Sequence, residues 1–226
     1  MADVPALVVV VGNPNTGKTS LFNRLTGMRA KTANYPGITV DLRRALLKLP
    51  GREIELADLP GLYSLDALSP EEQVARSVLL GEVESLGKPA AVLLVVDATQ
   101  LERNLFLTSE VLELDLPTII ALNMIDAADE ENIKVEVEQL AAELGCVVVP
   151  VSARTGKGID ELREMLARAV KRELPVTAEP HQSCTLGCRG CTFSARYEWA
   201  ERVTQNTVQK PVKDNQEASF LDRLLT

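Results

Sequence analysis

The sequence predicts an α/β protein: a mixed, mostly parallel sheet with helices on both faces, followed by a small all-helical C-terminal part. Three observations predict it. Short apolar runs alternate with capped or amphipathic helical segments from Ala6 to Arg172, the pattern of successive βα units. A glycine-bearing turn, Gly12-Asn13-Pro14-Asn15-Thr16-Gly17-Lys18-Thr19, joins the first apolar run to the first helical one. A single Pro50-Gly51 turn between two strand-like runs places one antiparallel hairpin in an otherwise parallel order.

Taken in order, Ala6 to Val11 is an apolar strand, and Ser20 to Thr26 is a helix with Gly27 as its C-cap. Met28 to Ile38 is polar and turn-rich, broken by Asn34-Tyr35-Pro36-Gly37. Val40 to Leu49 and Arg52 to Ala57 are the hairpin strands, the second alternating Ile54 and Leu56 with charged residues. Ser69-Pro70-Glu71-Glu72 opens a helix, with an N-cap serine, proline at the first position and acids in the first turn. That helix is expected to run to about Leu86, where Gly87-Lys88-Pro89 would stop it. Ala90 to Val96, Pro117 to Leu122 and Cys146 to Val151 read as buried strands, and Leu101 to Leu114, Glu130 to Leu144 and Ile159 to Arg172 as helices. Beyond a linker from Leu174 to Ser183, helices are expected over Thr192 to Thr204 and Glu217 to Leu225. The division is therefore a domain over 1–172 and a helical appendage over 173–226.

Composition narrows the function classes. Apolar residues at 46% and charged residues at 25% are ordinary globular values, so a large core can form. A net charge of −8 argues against nonspecific nucleic-acid binding, and no nucleic-acid partner is expected. The N-terminal stretch has no basic region before its apolar run, and the longest apolar run, Ala90 to Val96, is far short of the ~20 residues that span a bilayer. Four cysteines, three of them clustered, fit a reducing compartment better than a disulfide framework. Cys146, inside a strand, is expected to pack.

The turn from Gly12 to Thr19 has the form of a P-loop, in the strand–loop–helix context that such a loop requires. Gly12 and Gly17 let the backbone curl so that N–H groups, including those of Asn13, Pro14's neighbours, Thr16 and Ser20, point at phosphate oxygens. Lys18 supplies a point charge for the β/γ-phosphates, and the Thr19 hydroxyl is a Mg²⁺ ligand. Asp58-Leu59-Pro60-Gly61, directly after a strand, offers a carboxylate to the Mg²⁺ shell and a glycine N–H to a γ-phosphate. Thr39, preceded by Gly37 and Ile38, is the natural second Mg²⁺ hydroxyl, though a threonine entering a strand is the commoner fate of such a residue. Which base is bound depends on the later loops. Asn123-Met124-Ile125-Asp126 follows a buried strand, and a carboxylate there accepts from both N1–H and the 2-amine of guanine. Adenine lacks that donor pair, so such a site discriminates strongly against it. Ser152-Ala153 would present backbone N–H to the guanine O6, and Arg154 is expected to line the same nucleotide site. The expected ligands are thus GTP or GDP with Mg²⁺.

These segments together resemble the Ras-like GTPase superfamily from Ala6 to about Arg172. A narrower likeness is carried by Gly12-Asn-Pro-Asn-Thr-Gly-Lys-Thr-Ser-Leu-Phe-Asn23, Asn34-Tyr-Pro-Gly-Ile-Thr-Val40, Asp58-Leu-Pro-Gly-Leu-Tyr-Ser64, Val96-Asp-Ala-Thr-Gln-Leu-Glu-Arg-Asn-Leu105 and Ala121-Leu-Asn-Met-Ile-Asp126. They resemble the cytosolic GTPase domain of bacterial FeoB-type ferrous iron transporters. Ala195-Arg-Tyr197 and Phe220-Leu-Asp-Arg-Leu-Leu-Thr226 are similar to that family's helical, GDI-like segment. The resemblance implies a switch domain that hydrolyses GTP and gates iron uptake at the cytoplasmic face of the inner membrane. It also implies, as partners, a transmembrane region of the same protein, a small cytosolic regulator and further copies of the chain. In that family the asparagine matching Asn15 is a K⁺ ligand; here it either takes that role or hydrogen-bonds within the loop. Leu62 stands where Ras-type enzymes place a water-orienting glutamine, so turnover is expected on the order of 10⁻² s⁻¹ or below. Catalysis would then rest on Lys18, Thr39, Gly61 and Asn15.

One cluster departs from the family pattern. Cys184, Cys188 and Cys191 stand at C-x3-C-x2-C spacing, with His181 three residues ahead. The set either completes a tetrahedral zinc or iron shell or forms a loop of unligated thiols. Two rival functions stand beside the transporter reading. A soluble ribosome- or tRNA-maturation GTPase would need a basic RNA-binding appendage that the tail does not supply. A non-hydrolysing nucleotide-binding scaffold would be consistent with Leu62.

Overall fold

The computed structural model describes residues 5–27, 31–33, 42–66, 69–174 and 189–209. Strand β1 (Ala6–Gly12) runs into helix α1 (Lys18–Thr26), which starts two residues before the expected Ser20. A short strand β2 (Lys31–Ala33) lies within the stretch that reads as turn-rich, and pairs antiparallel with β3 (Leu42–Leu49). β3 pairs antiparallel with β4 (Arg52–Asp58) through the Pro50-Gly51 turn, as the sequence predicts. Helix α2 (Pro70–Leu80), β5 (Ala91–Asp97), α3 (Leu101–Leu112), β6 (Thr118–Asn123), β8 (Val147–Pro150) and α6 (Ile159–Val170) follow the predicted alternation.

The sheet order is β2-β3-β4-β1-β5-β6-β8, with β4, β1, β5, β6 and β8 parallel to one another and β3 antiparallel to both β2 and β4. β1 is the switch point: after it the chain crosses to the outer strand β2 and builds inward through β3 to β4 on one side, then places β5 on the other. Crevices form at the carboxyl end of such a strand, and the Gly12–Thr19 loop lies there. Alternation along β1 sends Val8 and Val10 toward Leu21, Phe22 and Leu25 of α1 and Ile159, Leu162 and Leu166 of α6. Leu7, Val9 and Val11 face the opposite layer, with Ala75, Val78 and Leu79 of α2 and Leu101, Leu105 and Val111 of α3. Both faces are covered, which is why β1, β5 and β6 are apolar throughout.

Three expected elements are corrected. α2 stops at Leu80 instead of Leu86, because Gly81 takes a left-handed C-cap (φ 72°) whose N–H bonds Ser77 and Val78 carbonyls. Its N-terminus is as expected, with the Ser69 hydroxyl accepting from Glu72 N–H and the Glu72 carboxylate accepting from Ser69 N–H. The segment expected as one helix over Glu130 to Leu144 is instead α4 (Ile125–Glu130), a strand β7 (Lys134–Val135) and α5 (Val137–Leu144). Asn132 at φ 56° breaks the helix, and β7 pairs antiparallel with the distant β9 (Val208–Gln209). The tail helix α7 (Arg189–Thr207) is longer at both ends than Thr192 to Thr204, and Trp199, Ala200 and Val203 join the core beside α3 and α5. The expected helix over Glu217 to Leu225 lies outside the described residues.

Candidate functional site

β1 delivers Gly12 to the edge of the sheet, and the next seven residues fold back on themselves. The Thr16 hydroxyl donates to the Asn13 carbonyl at 2.9 Å, and Asn15 and Gly17 both adopt left-handed backbone (φ 69° and 77°). Gly17 cannot be another residue without rearrangement, since a Cβ there would lie 2.4 Å from Asn123 Nδ2. The first turn of α1 then carries Lys18 and Thr19, and Ser20 is exposed behind them. Asp58 closes β4 in register with Val10 of β1, which brings its carboxylate to the P-loop. Lys18 Nζ makes an ion pair with Asp58 Oδ1, and both side chains are buried; Thr19 Oγ1 donates to Asp58 Oδ2 at 3.2 Å. Lys18, assigned by the sequence to phosphate, thus also has a carboxylate partner.

The loop after β4 lies along the P-loop. Leu59 N–H donates to the Val10 carbonyl and Leu62 N–H to the Gly12 carbonyl, both at 3.1 Å. A Cβ on Gly61 would lie 3.1–3.2 Å from Pro14, so the two loops are in close contact. Leu59 and Leu62 turn their side chains into the core, leaving Pro60, Gly61 and backbone groups on the crevice side. Farther on, the Ser64 hydroxyl (3.0 Å) and Leu65 N–H (2.7 Å) donate to the two oxygens of Glu110 on α3. Burial raises the Glu110 carboxyl, against lowering by those two hydrogen bonds and by Arg196.

The segments that the sequence assigns to the base meet the P-loop through one side chain. Asn123, at the end of β6 and 2% exposed, donates from Nδ2 to the Thr16 carbonyl at 2.9 Å. Its Oδ1 accepts from Ala153 N–H at 3.0 Å. Asn123 therefore braces the loop, and it also takes the Ala153 N–H that the sequence assigns to guanine O6. Met124 adopts φ 64° and starts α4, on whose first turn Asp126 stands. Asp126 Oδ2 accepts from Arg154 Nε at 2.5 Å, and Arg154 Nη2 reaches Glu130 at 2.6 Å. Burial opposes ionisation of Asp126, but hydrogen bonds from Ser152 and Arg154 outweigh it and hold the carboxyl below its ordinary range. Ser152 is fully buried; its Oγ accepts from Thr155 N–H at 3.0 Å and its carbonyl from Gly156 N–H at 2.8 Å.

The structure thus brings together Gly12 to Ser20, Asp58 to Gly61, Asn123 to Asp126 and Ser152 to Arg154 along one edge of the sheet. Gly37, Ile38, Thr39, His181, Cys184 and Cys188 lie outside the described residues, and for Cys191 only its place in the first turn of α7 is described. Cys146 packs against the core, and burial pushes its thiol up to about 12, as a packing residue should behave. Glu110 and Arg24, both in contact with site loops, are not marked by any motif. Their only sequence signal is a polar residue at a helix position that the apolar pattern leaves free.

An α/β sheet with a P-loop at its switch point, a DxxG loop beside it and an NxxD turn two strands away defines a Ras-like P-loop GTPase fold, a G domain. The model of the N-terminal part of ferrous iron transport protein B matches residues 6–166, and the chain belongs to that family. The Fe(2+) transporter FeoB of Escherichia coli is 43% identical over 164 residues, 70% of this chain and 20% of the transporter's length. Chains of this span thus correspond to about a fifth of the relatives they match. The cytosolic domain of L. pneumophila FeoB superposes with a TM-score of 0.78 at 28% identity, covering 91% of this chain and 100% of that one. The T. maritima FeoB cytosolic domain in a GDP form gives 0.76 at 28% identity, covering 92% and 100%.

Proposed function

We propose that the chain binds GTP and GDP with Mg²⁺, hydrolyses GTP slowly, and through its nucleotide state regulates ferrous iron transport by a membrane region of a longer protein. The observation that carries the reading is the two-sided bond of Asn123. By holding Thr16 on one side and Ala153 on the other, it fixes the carboxylate of Asp126 relative to Lys18, as a guanine nucleotide spanning both would require. Description of the T. maritima relative in a GDP form supports the same ligand.

The oxygen donors fit Mg²⁺. Thr19 Oγ1 and Asp58 Oδ2 are 3.2 Å apart, close to the ~3 Å edge of an octahedron with ~2.1 Å bonds. When bound, the ion would neutralise charge between the β- and γ-phosphates. Lys18 binds the same phosphates, sharing its charge with Asp58, and Gly61 N–H meets the γ-phosphate. Thr39, beside Gly37 and Ile38 in the sequence, would supply the second hydroxyl to the metal. Leu62 is buried, so the chain supplies no water-orienting group there, and turnover is slow. Asn15, exposed and left-handed, is the residue through which K⁺ would raise the rate; Asn15→Ala should abolish any difference between K⁺ and Na⁺.

Regulation has a structural support in α3. Its Glu110 holds the loop after Gly61, and the adjacent Ser109 and, one turn on, Glu113 hold Arg196 of α7 at 2.8 and 2.6 Å. A shift of that loop on γ-phosphate loss would be felt at α7, the described part of the 173–226 appendage that leads toward the membrane region. Among the described residues no helix is long and apolar enough to cross a membrane.

Calorimetry with GDP, GTP and ATP, on wild type and Asp126→Asn, tests the reading. GTP and GDP should bind and ATP should be weaker by roughly 10⁴-fold. Asp126→Asn should erase that preference. ATP binding as tightly as GTP to the wild-type chain would refute it. A multiple-turnover phosphate-release assay separates a slow GTPase from a scaffold that only binds.

A further inference from the structure

Arg24 stands in the last turn of α1, the helix whose first turn carries Lys18 and Thr19. An arginine there is ordinarily explained by the helix dipole. Its guanidinium, however, bonds none of its own helix's carbonyls. Nε donates to the Ala153 carbonyl at 3.1 Å and Nη2 to the Arg154 carbonyl at 2.5 Å, so a single planar fork holds two consecutive carbonyls of the base-reading loop. The neighbouring Gly156 (φ 91°) lies beside it, where a Cβ would meet the Arg24 guanidinium at ordinary contact distance, 3.7–3.8 Å.

The contacts close a ring. Thr16 bonds Asn123, Asn123 bonds Ala153 N–H, and the Ala153 and Arg154 carbonyls bond Arg24, which returns through α1 to the P-loop. Asn123 holds the loop by an N–H and Arg24 holds it by two carbonyls. With the Arg24 grip released, residues 153–154 keep the Asn123 bond and the Arg154–Asp126 pair but lose their tie to α1.

We infer that Arg24 is a positioning residue that sets how long a guanine nucleotide stays bound, by locking residues 153–154 against the base. The inference rests on the guanine-nucleotide reading above. Because Arg24 is exposed, water competes for its donors and the effect is moderate.

The experiment is a chase of fluorescent mant-GDP from the wild-type chain, Arg24→Ala and Arg24→Lys. Arg24→Ala should release mant-GDP about tenfold faster, and Arg24→Lys, which reaches one carbonyl but not two, by an intermediate factor. Competition by pyrophosphate, which engages only the phosphate loop, should stay within about twofold of wild type, and the thermal midpoint within about 2 °C, as for a surface substitution. Release from Arg24→Ala within twofold of wild type overturns the inference while leaving the nucleotide reading intact. Faster release with an equal loss of pyrophosphate binding also overturns it, since that is general loosening. A wild-type chain that does not bind mant-GDP at all overturns the nucleotide reading first, and this inference with it.

Discussion

Replacing Asn123 by alanine removes a donor and an acceptor that are each matched to a backbone group. The Thr16 carbonyl lies in a buried contact, and a buried polar group left without its partner costs ~1–3 kcal/mol. Ala153 N–H is only partly buried, so water recovers some of its loss, and about half that cost applies. The sum is ~2–4 kcal/mol, and at about 2–4 °C per kcal/mol for a chain of this size the midpoint should fall by roughly 5–15 °C. Thermal unfolding followed by circular dichroism measures it directly. Asn123→Asp sharpens the test: its carboxylate still accepts from Ala153 N–H but presents an oxygen to the Thr16 carbonyl, so it should be no more stable than the alanine variant. A midpoint within 1–2 °C of wild type for both would mean that Asn123 does not brace the two loops, and the geometry ascribed to the site would fail.

Gly17→Ala should cost ~2–4 kcal/mol, from left-handed backbone plus displacement of the Asn123 amide, and should add only the backbone part, ~1–2 kcal/mol, on top of Asn123→Ala, because the clash partner is then gone; a double-mutant cycle on thermal midpoints reads this. Glu110→Ala frees Leu65 N–H and the Ser64 hydroxyl, so amide exchange at Leu65 should quicken about tenfold while core amides are unchanged. The Asp126 carboxyl is depressed in the folded chain, so it contributes stability above its unfolded pKa that is lost as pH falls through the lower folded value. Arg154→Ala should raise it toward its ordinary range, visible in a carboxyl ¹³C titration, and shift acid unfolding to higher pH.

What the sequence reveals and what it hides divide along sequence distance. β1, β5 and β6 are legible because burial on both faces demands continuous apolar runs, and the start of α2 because the Ser69–Glu72 box is a local arrangement of four residues. The early end of α2 is not, since Val83 and Leu86 continue an apolar pattern past Gly81 and only the cap conformation stops the helix. β7 and β9 are two residues each, too short for periodicity, and their pairing joins positions 135 and 208. The site shows the same division. The P-loop, DxxG and NxxD segments are legible because each is contiguous and bounded by a strand. The Lys18–Asp58 pair, the capture of Ala153 N–H by Asn123 and the grip of Arg24 on residues 153–154 join residues from 30 to 130 positions apart. Nothing local marks them.

Leu62 shows how a motif position can mislead when read by analogy alone. Its place after Gly61 invites repair to glutamine, with faster hydrolysis as the expected gain. The geometry argues otherwise. Leu62 is fully buried beside Leu59, Ala75, Val78 and Leu79, and its N–H is fixed to the Gly12 carbonyl. A glutamine there would forgo ~2 kcal/mol of leucine burial and carry a primary amide into an apolar cluster, at a further ~1–3 kcal/mol. To reach the crevice it would have to turn the segment over, which the Gly12 bond and the Ser64–Leu65 anchorage on Glu110 oppose. Leu62→Gln should therefore lower the thermal midpoint by roughly 6–15 °C and leave single-turnover phosphate release within about threefold of wild type. A tenfold gain in that rate with no loss of stability would show that the side chain can face the phosphates, and slow turnover would then need a cause other than this buried leucine.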